Sequence, residues 1–321
     1  MSSDPGRAVG NADDLTARVR DGGLLTEARP VVVMLSGGRD SVCLLDVAVT
    51  VAGAGAVSAL HVNYGLRGAA EDDERHCRAL CDRLGVDLQV ARPRRSESGN
   101  LQAWARDARY RAAARVATDR GADVAAGHTA TDQVETILYR LASSPSRRAL
   151  LGMRAREGAL VRPLLGFTRE QTARHCAARG LTWREDESNA GAEFARGRVR
   201  HGLVAALREV HPGAEANVLA LAELLRAEAE VLDELVEDML GGATTVELAR
   251  LRELHPAVRR LVVQRLADQA AGRLAPGVAR RAEEVVAMSD HGTAALDLPA
   301  GVRAIAVRGV LHFERTPHAR P

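Results

Sequence analysis

Residues Val31-Val32-Val33-Met34-Leu35-Ser36-Gly37-Gly38-Arg39-Asp40-Ser41 admit few folds. Five apolar residues, three of them β-branched, run straight into a small polar turn. Val42, Leu44, Leu45, Val47 and Ala48 then follow at helical spacing. The pattern predicts a strand, a tight loop and a helix N-terminus. Gly37 and Gly38 let the backbone pass close to a ligand, where N–H groups and the helix dipole favour an anion. Ser36 and Ser41 add hydroxyl donors. A bare carboxylate at Asp40 would repel that anion, so it makes sense with a divalent metal between it and bound phosphates. An ordinary strand-to-helix turn is the plainer alternative for the two glycines.

The same rhythm repeats downstream. Further strands are predicted over 57–63, 87–90, 124–128 and 160–165. Helices are predicted from the acidic cluster Glu71-Asp72-Asp73-Glu74, over 100–120 behind Asn100, after His128, and from Thr168 to about Arg179. Repeated βα units imply an α/β, Rossmann-like fold: a parallel sheet with helices on both faces and ligands beyond the strands' carboxyl ends. The Ser36 loop, the turn at Asn63 and the His128 segment all follow strands, so they should share one edge of the sheet. After His211-Pro212 the rhythm stops. Leu221, Leu224, Leu225, Leu232, Leu235, Val236 and Met239 trace one face of a long helix that ends at Gly241-Gly242. Helical segments over 246–254, 257–270 and 276–288 precede a small hairpin within 295–313. The expected domains are a mobile or lightly docked leader (1–24), a catalytic domain (25–213) and a smaller, mainly helical domain (214–321).

Charge excludes several chemistries. The net charge is only +2, but all 44 basic residues are arginine. With no lysine, the chain can hold no Walker-type loop lysine, Schiff-base lysine or lysyl nucleophile. No apolar run approaches a bilayer-spanning length, and the amino end is polar, so a cytoplasmic protein without membrane association is expected. Cys43, Cys77, Cys81 and Cys176 form no Cys-x-x-Cys pair. Buried free thiols are the expected reading, with a zinc or redox pair at Cys77 and Cys81 as the alternative.

Four further groups of residues carry chemistry. His61, Asn63 and Arg67 follow the second strand, where nucleotide contacts or a satisfied strand end are both compatible. Arg106 and Arg109, three apart with Tyr110 beside them, suit phosphate oxygens. In Gly127-His128-Thr-Ala-Thr-Asp132-Gln-Val-Glu135, two carboxylates lie three apart on the first turns of a helix. They suit an ammonium group or a metal ion, or they complement the helix N-terminus. Arg147-Arg148, Arg154 and Arg156, and then Arg196, Arg198 and Arg200, suit a phosphate backbone or a solvated basic surface. If Arg196 and Arg200 face outward, Arg198 turns elsewhere, toward the cleft.

Ser-Gly-Gly-x-Asp-Ser after a strand resembles the pyrophosphate-binding (PP) loop of ATP pyrophosphatases that release AMP. The ordered set Ser36–Ser41, His61-Val-Asn-Tyr-Gly-Leu-Arg67-Gly, Ala105-Arg-Asp-Ala-Arg-Tyr110, Gly127–Thr136, Arg162-Pro-Leu-Leu165 and Trp183-Arg-Glu-Asp-Glu-Ser-Asn189 resembles the tRNA(Ile)-lysidine synthetases over about residues 30 to 211. The resemblance implies adenylation by ATP of C2 of the wobble cytidine in the isoleucine tRNA with a CAU anticodon. L-lysine is then ligated to give lysidine, AMP and pyrophosphate. It implies ATP and pyrophosphate contacts at Ser36, Gly37, Gly38, Arg39, Asp40, Ser41, His61, Asn63, Arg67, Gly127 and His128, with Mg²⁺ at Asp40. Asp40, Arg106, Arg109 and Asp132 would be catalytic; Asp132, Glu135, Arg198 and Arg200 would bind lysine; Arg147, Arg148 and Arg196 would meet tRNA. A homodimer is compatible with this reading, and the extra carboxyl-terminal domain of longer members is expected to be absent. Tyr64 stands where His is common, Gly197 where Asn is usual, and 142–148 replaces an Arg-Gly-Ser-Gly loop. A tRNA sulfurtransferase of the same superfamily is the competing enzyme reading, and it predicts cysteine pairs for a cluster or persulfide. A catalytically silent tRNA-binding protein is the reading from another class.

Overall fold

The computed structural model describes residues 12–65, 68, 70–95, 100–144, 146–184 and 195–316, with Ala12, Asp13 and Arg196 described by backbone alone. Its organising strand is β1 (Val31–Met34). Alternate residues of a strand point to opposite faces. Val31, Val33 and Leu35 accordingly pack into one apolar cluster, and Val32 and Met34 into another. An uninterrupted apolar run is what a strand covered on both sides requires.

Around it the chain forms α1 (Ala12–Asp21), α2 (Arg39–Ala52), β2 (Val57–Val62), α3 (Ala70–Leu84), β3 (Asp87–Ala91), α4 (Leu101–Arg120), β4 (Asp123–Ala125), α5 (Ala130–Ser143), α6 (Arg147–Leu150), β5 (Arg156–Glu157), β6 (Leu160–Val161) and α7 (Arg169–Ala178). The sheet order is β3-β2-β1-β4-β6-β5, parallel throughout except that β5 runs antiparallel to β6. One face is covered by Leu44, Leu45 and Val47 of α2 with Cys77 and Leu80 of α3. Ala113, Val116 and Ala117 of α4 cover the other. The strand order reverses between β1 and β4, and ligands of such sheets bind at that crevice. The loops after β1 and β4 meet there.

Two expectations for this part are corrected. The leader is not loose over its described residues: α1 buries Leu15 and Val19, Leu25 joins the same cluster, and Arg18 stacks over Phe167 at 4.4 Å. The strand expected over 160–165 is only Leu160–Val161, because Pro163 supplies no ladder N–H. All four cysteines are free and buried.

Next come α8 (Ala195–Arg198), a π-helical turn (Val199–Leu203), α9 (Val204–Val210) and α10 (Ala214–Leu240). The chain divides into two units, 1–222 and 223–321. The second unit adds β7 (Thr245–Glu247), α11 (Leu248–Glu253), α12 (Pro256–Ala271), α13 (Ala282–Val286), β8 (Thr293–Leu298), β9 (Val302–Val307) and β10 (Val310–Arg315). The expected hairpin is part of an antiparallel sheet in the order β7-β10-β9-β8. Its Val302, Ala304, Ala306 and Leu311 pack with Val262, Val263 and Leu266 of α12. The helix expected over 276–288 is instead a 3-10 turn followed by the short α13. In α10 the buried stripe is Ala222, Ala229, Val236 and Leu240, whereas Leu221, Leu224 and Leu235 are exposed. The buried stripe thus combines two alanines with Val236 and Leu240 and does not follow the leucines. Among the described residues, no helix is long and apolar enough to cross a membrane.

Candidate active site

The loop leaving β1 is held from within. Ser41 Oγ donates to the Gly38 carbonyl at 2.8 Å and accepts from the Ser36 N–H at 3.2 Å. Ser36 Oγ lies 3.0 Å from Ser41 Oγ and accepts from the Gly38 N–H at 3.3 Å. The two hydroxyls therefore shape the turn. Gly37 has φ of +86°, and a Cβ there would meet Cys77 Sγ at 3.3 Å, so the position demands glycine on both counts. His61 Nδ1 lies 2.9 Å from the Leu35 carbonyl and 3.4 Å from Cys77 Sγ. Only 4% exposed, His61 braces the loop from behind, a correction to its expected place among the nucleotide contacts.

Asp40 opens α2. Its Oδ1 accepts from Thr172 Oγ1 at 2.6 Å and from Arg39 Nε at 3.2 Å. Its Oδ2 accepts no hydrogen bond among the described residues, and Arg169 Nε stands 3.6 Å away. That oxygen is chemically suited to a cation. Mg²⁺ is usually held by one or two carboxylates with phosphate oxygens and water completing its shell.

The α5 carboxylates lie across the same crevice. Thr129 caps the helix, and Asp132 Oδ2 accepts from both the Thr129 N–H and its hydroxyl at 2.9 Å. The capping reading is thus correct for one oxygen. The other, Oδ1, accepts from Arg169 Nη2 at 2.7 Å. One turn on, Glu135 takes Arg200 in bidentate fashion, at 2.6 and 3.0 Å, and Arg169 Nη1 lies 3.6 Å away. Burial works against the Asp132 charge, but Arg169 and the two Thr129 hydrogen bonds outweigh it and hold the carboxyl below its ordinary range. Burial likewise opposes the Arg200 charge, and Glu135 more than compensates, raising it.

Beyond Gly127 lies His128. Burial drives its imidazole down to about 4, against Asp132 and with help from Arg162, Arg106 and Arg109, so the ring is neutral at neutral pH. His128 Nδ1, Arg109 Nε and Tyr110 OH are buried with no hydrogen-bond partner among the described residues. Arg106 and Arg109 stack over Tyr110 at 4.8 and 5.6 Å. Buried polar atoms are normally paired, so these groups suit a polar ligand.

The PP-loop domain family matches residues 11–207. A tRNA(Ile)-lysidine synthase of Nocardia farcinica is 39% identical over 232 residues, covering 72% of this chain and 72% of that protein. The chain belongs to the tRNA(Ile)-lysidine synthase family. A lysidine synthase of Pseudomonas putida is 36% identical over 250 residues, 72% of this chain but 58% of that protein. The chain thus spans little more than half the length of that relative. In fold it is similar to the U34-tRNA thiolase NcsA of Methanococcus maripaludis, solved with its [4Fe-4S] cluster: TM-score 0.56, 17% identity, 67% of this chain and 78% of that one covered.

One position that departs from the lysidine synthase pattern, Tyr64, has a local role. Tyr64 donates to the Ala105 carbonyl at 2.8 Å and meets Trp104 edge-on at 5.7 Å, tying the end of β2 to α4. Asn63 is occupied with Glu74 at 3.0 Å and the Gly65 N–H at 2.9 Å. Of the arginine ladder, Arg200 turns inward onto Glu135 and Arg198 is exposed, which decides between the two arginines that the sequence offers for the amine site. The π-helical turn shifts the helical phase at this point. Arg156 pairs with Asp123 at 3.0 and 3.1 Å instead of joining a basic surface, while Arg147 and Arg148 are half-buried in α6. Arg67, residues 185–194 and the Arg196 side chain lie outside the described residues.

Sequence reasoning missed Arg169 and Thr172. One signal was legible: Arg169 directly follows the cap Thr168, and a cation in the first turn opposes the helix dipole. Such a residue needs carboxylates nearby, and here it has three.

Proposed function

We propose that this protein is a tRNA(Ile)-lysidine synthetase acting in the cytoplasm. It would use ATP to adenylate the C2 carbonyl oxygen of the wobble cytidine in the CAU-anticodon isoleucine tRNA. The observation that carries the reading is the convergence, on one crevice, of an anion-binding glycine loop with a carboxylate pair one helical turn apart, Asp132 and Glu135. The loop suits a leaving pyrophosphate, and the pair suits the ammonium of an amine substrate by charge matching.

In the first step the cytidine oxygen attacks the α-phosphate and the bond to pyrophosphate breaks. In the second the lysine ε-amine attacks C2, loses its proton, and AMP leaves. Mg²⁺, when bound, would neutralise charge developing on the phosphates, and Asp40 Oδ2 is the group that would hold it. Arg106 and Arg109 would contact phosphate oxygens of the nucleotide or the intermediate. Catalysis is then mostly positioning and charge stabilisation, with the adenylated base shielded from water until lysine arrives. Arg147, Arg148 and Arg196 would contact the tRNA backbone, and two copies of the chain are compatible with this chemistry.

Sulfur transfer is disfavoured by the thiols. Burial pushes Cys77 and Cys81 up to about 12, so neither is a ready nucleophile, and Cys43 is raised chiefly by its hydrogen bond to Cys176. The deciding assay is AMP release from ATP with isoleucine tRNA and lysine supplied together and singly. Lysidine should form only when both are present, and Asp40→Ala should abolish AMP release while leaving the unfolding midpoint near wild type. AMP release indifferent to tRNA, or an Asp40→Ala protein with wild-type turnover, would refute the reading.

A further inference from the structure

The two halves of the site are joined by one side chain. Arg169 begins α7, and its three guanidinium nitrogens face three different carboxylates: Nη2 to Asp132 at 2.7 Å, Nη1 to Glu135 at 3.6 Å and Nε to Asp40 at 3.6 Å. Only the first is a hydrogen bond, and Nε is a buried nitrogen with no hydrogen-bond partner among the described residues. Arg200, by contrast, is fixed by two hydrogen bonds to Glu135. Arg169 is therefore the more loosely held of the two cations, and it stands on the oxygen to which an incoming ammonium would bind.

Charge decides what moves it. Asp40, Asp132 and Glu135 are balanced by Arg39, Arg169 and Arg200, so the cluster is neutral as it stands. An added ammonium would give it a surplus positive charge and compete directly with Arg169 for Asp132 Oδ1. A magnesium-bound nucleoside triphosphate is net negative. Seated on the loop beside Asp40, it would attract the guanidinium from the opposite side. A guanidinium exchanges carboxylate for phosphate without loss of hydrogen-bond geometry, since both accept its fork.

We propose, resting on the function above, that Arg169 is a placeholder cation of the amine site. It holds Asp132 in the empty protein and is drawn to the nucleotide phosphates on loading, opening the carboxylate pair to lysine. Arg169 is then a positioning residue that makes amine binding conditional on nucleotide binding. The coupling is reciprocal, because each ligand must alter the affinity of the other by the same factor. It also accounts for a cation at a helix start, where the dipole disfavours it.

The test is calorimetric titration of L-lysine into the full chain, with and without Mg²⁺ and a non-hydrolysable ATP analogue. In wild type the nucleotide should tighten lysine binding on the order of tenfold, within the usual range of coupling between sites. In Arg169→Gln, lysine should bind equally with and without nucleotide, and without nucleotide more tightly than wild type does. Arg169→Met, neutral and of similar length, serves if the glutamine variant does not fold. A wild-type affinity indifferent to nucleotide, or a neutral variant that keeps the nucleotide effect, overturns the proposal and leaves the proposed function intact. Lysine that binds in neither state overturns the amine site itself and the proposal with it. A merely structural Arg169 would change the unfolding midpoint without changing the nucleotide dependence.

Discussion

Replacing Gly127 by alanine should damage nucleotide chemistry more than it damages the fold. Gly127 follows β4, and a Cβ built on it lies 3.1 Å from both C and O of Asp40 and 3.2 Å from N of Ser41. Its φ is not positive, so the objection to a side chain is contact and not backbone conformation. Carbon atoms pack best at about 3.5–4.0 Å, so the contact with the Asp40 carbonyl carbon is short by about 0.3 Å or more. All three atoms are backbone, and none can rotate away. Insertion of a methyl into such a packed place costs about 1–3 kcal/mol. The yielding element is the first turn of α2, which carries the Asp40 carboxylate. A 1 Å displacement at a reacting centre costs roughly a hundredfold in rate, so a shift of about 0.3 Å implies a loss of about fourfold in AMP release. The control is Gly55→Ala, where nothing lies within 4 Å and φ is ordinary, and where stability and rate should be unchanged. Urea unfolding midpoints and the tRNA-dependent rate of AMP formation give the two readouts. A Gly127→Ala protein with wild-type AMP release would show that the two loops do not need this close approach.

Two further outcomes follow from the charges. Glu135→Gln removes the acceptor charge from a bidentate pair in which the glutamate side chain is only 5% exposed, and it should cost about 1.5–3 kcal/mol in urea unfolding. An unchanged midpoint would mean that the Arg200 pair contributes nothing net. For His128, whose native imidazole sits at about 4, the unfolded chain takes up a proton that the native protein refuses. Stability should therefore be full above about pH 6.5 and fall as the pH drops toward 4, by up to about 3 kcal/mol. Unfolding midpoints of wild type and His128→Gln across pH 4–7.5 check the sign, because the variant should lose that part of the slope.

Much of the site could be read along the chain because it rests on local rules. The strand–loop–helix at Val31–Ser41, the caps at Asn100 and Thr168 and the acid spacing at Asp132 and Glu135 each involve residues within a few positions of one another. Backbone geometry turns such short spacings into structure without reference to the rest of the chain. The failures share the opposite character. The apolar stripe of α10 does not coincide with its buried face: Ala222, Ala229, Val236 and Leu240 are buried while Leu221, Leu224 and Leu235 are exposed, because burial depends on which neighbours the tertiary fold supplies. Arg198 and Arg200 face opposite ways, as residues two apart on a helix must, and which of them meets Glu135 is set only when this segment packs on α5.

Residue order alone is enough to put an anion-binding loop after a doubly buried strand, to specify a parallel α/β sheet, and to set two acids on one helix face. Folding in three dimensions is needed before His61 braces the loop, Gly127 touches the backbone of Asp40, and Arg169 stands between Asp40 and Asp132. The reason is physical. A hydrogen-bonded helix or strand is specified by neighbours in the chain, whereas an ion pair between residues far apart in sequence exists only once the sheet order has brought their loops to one crevice.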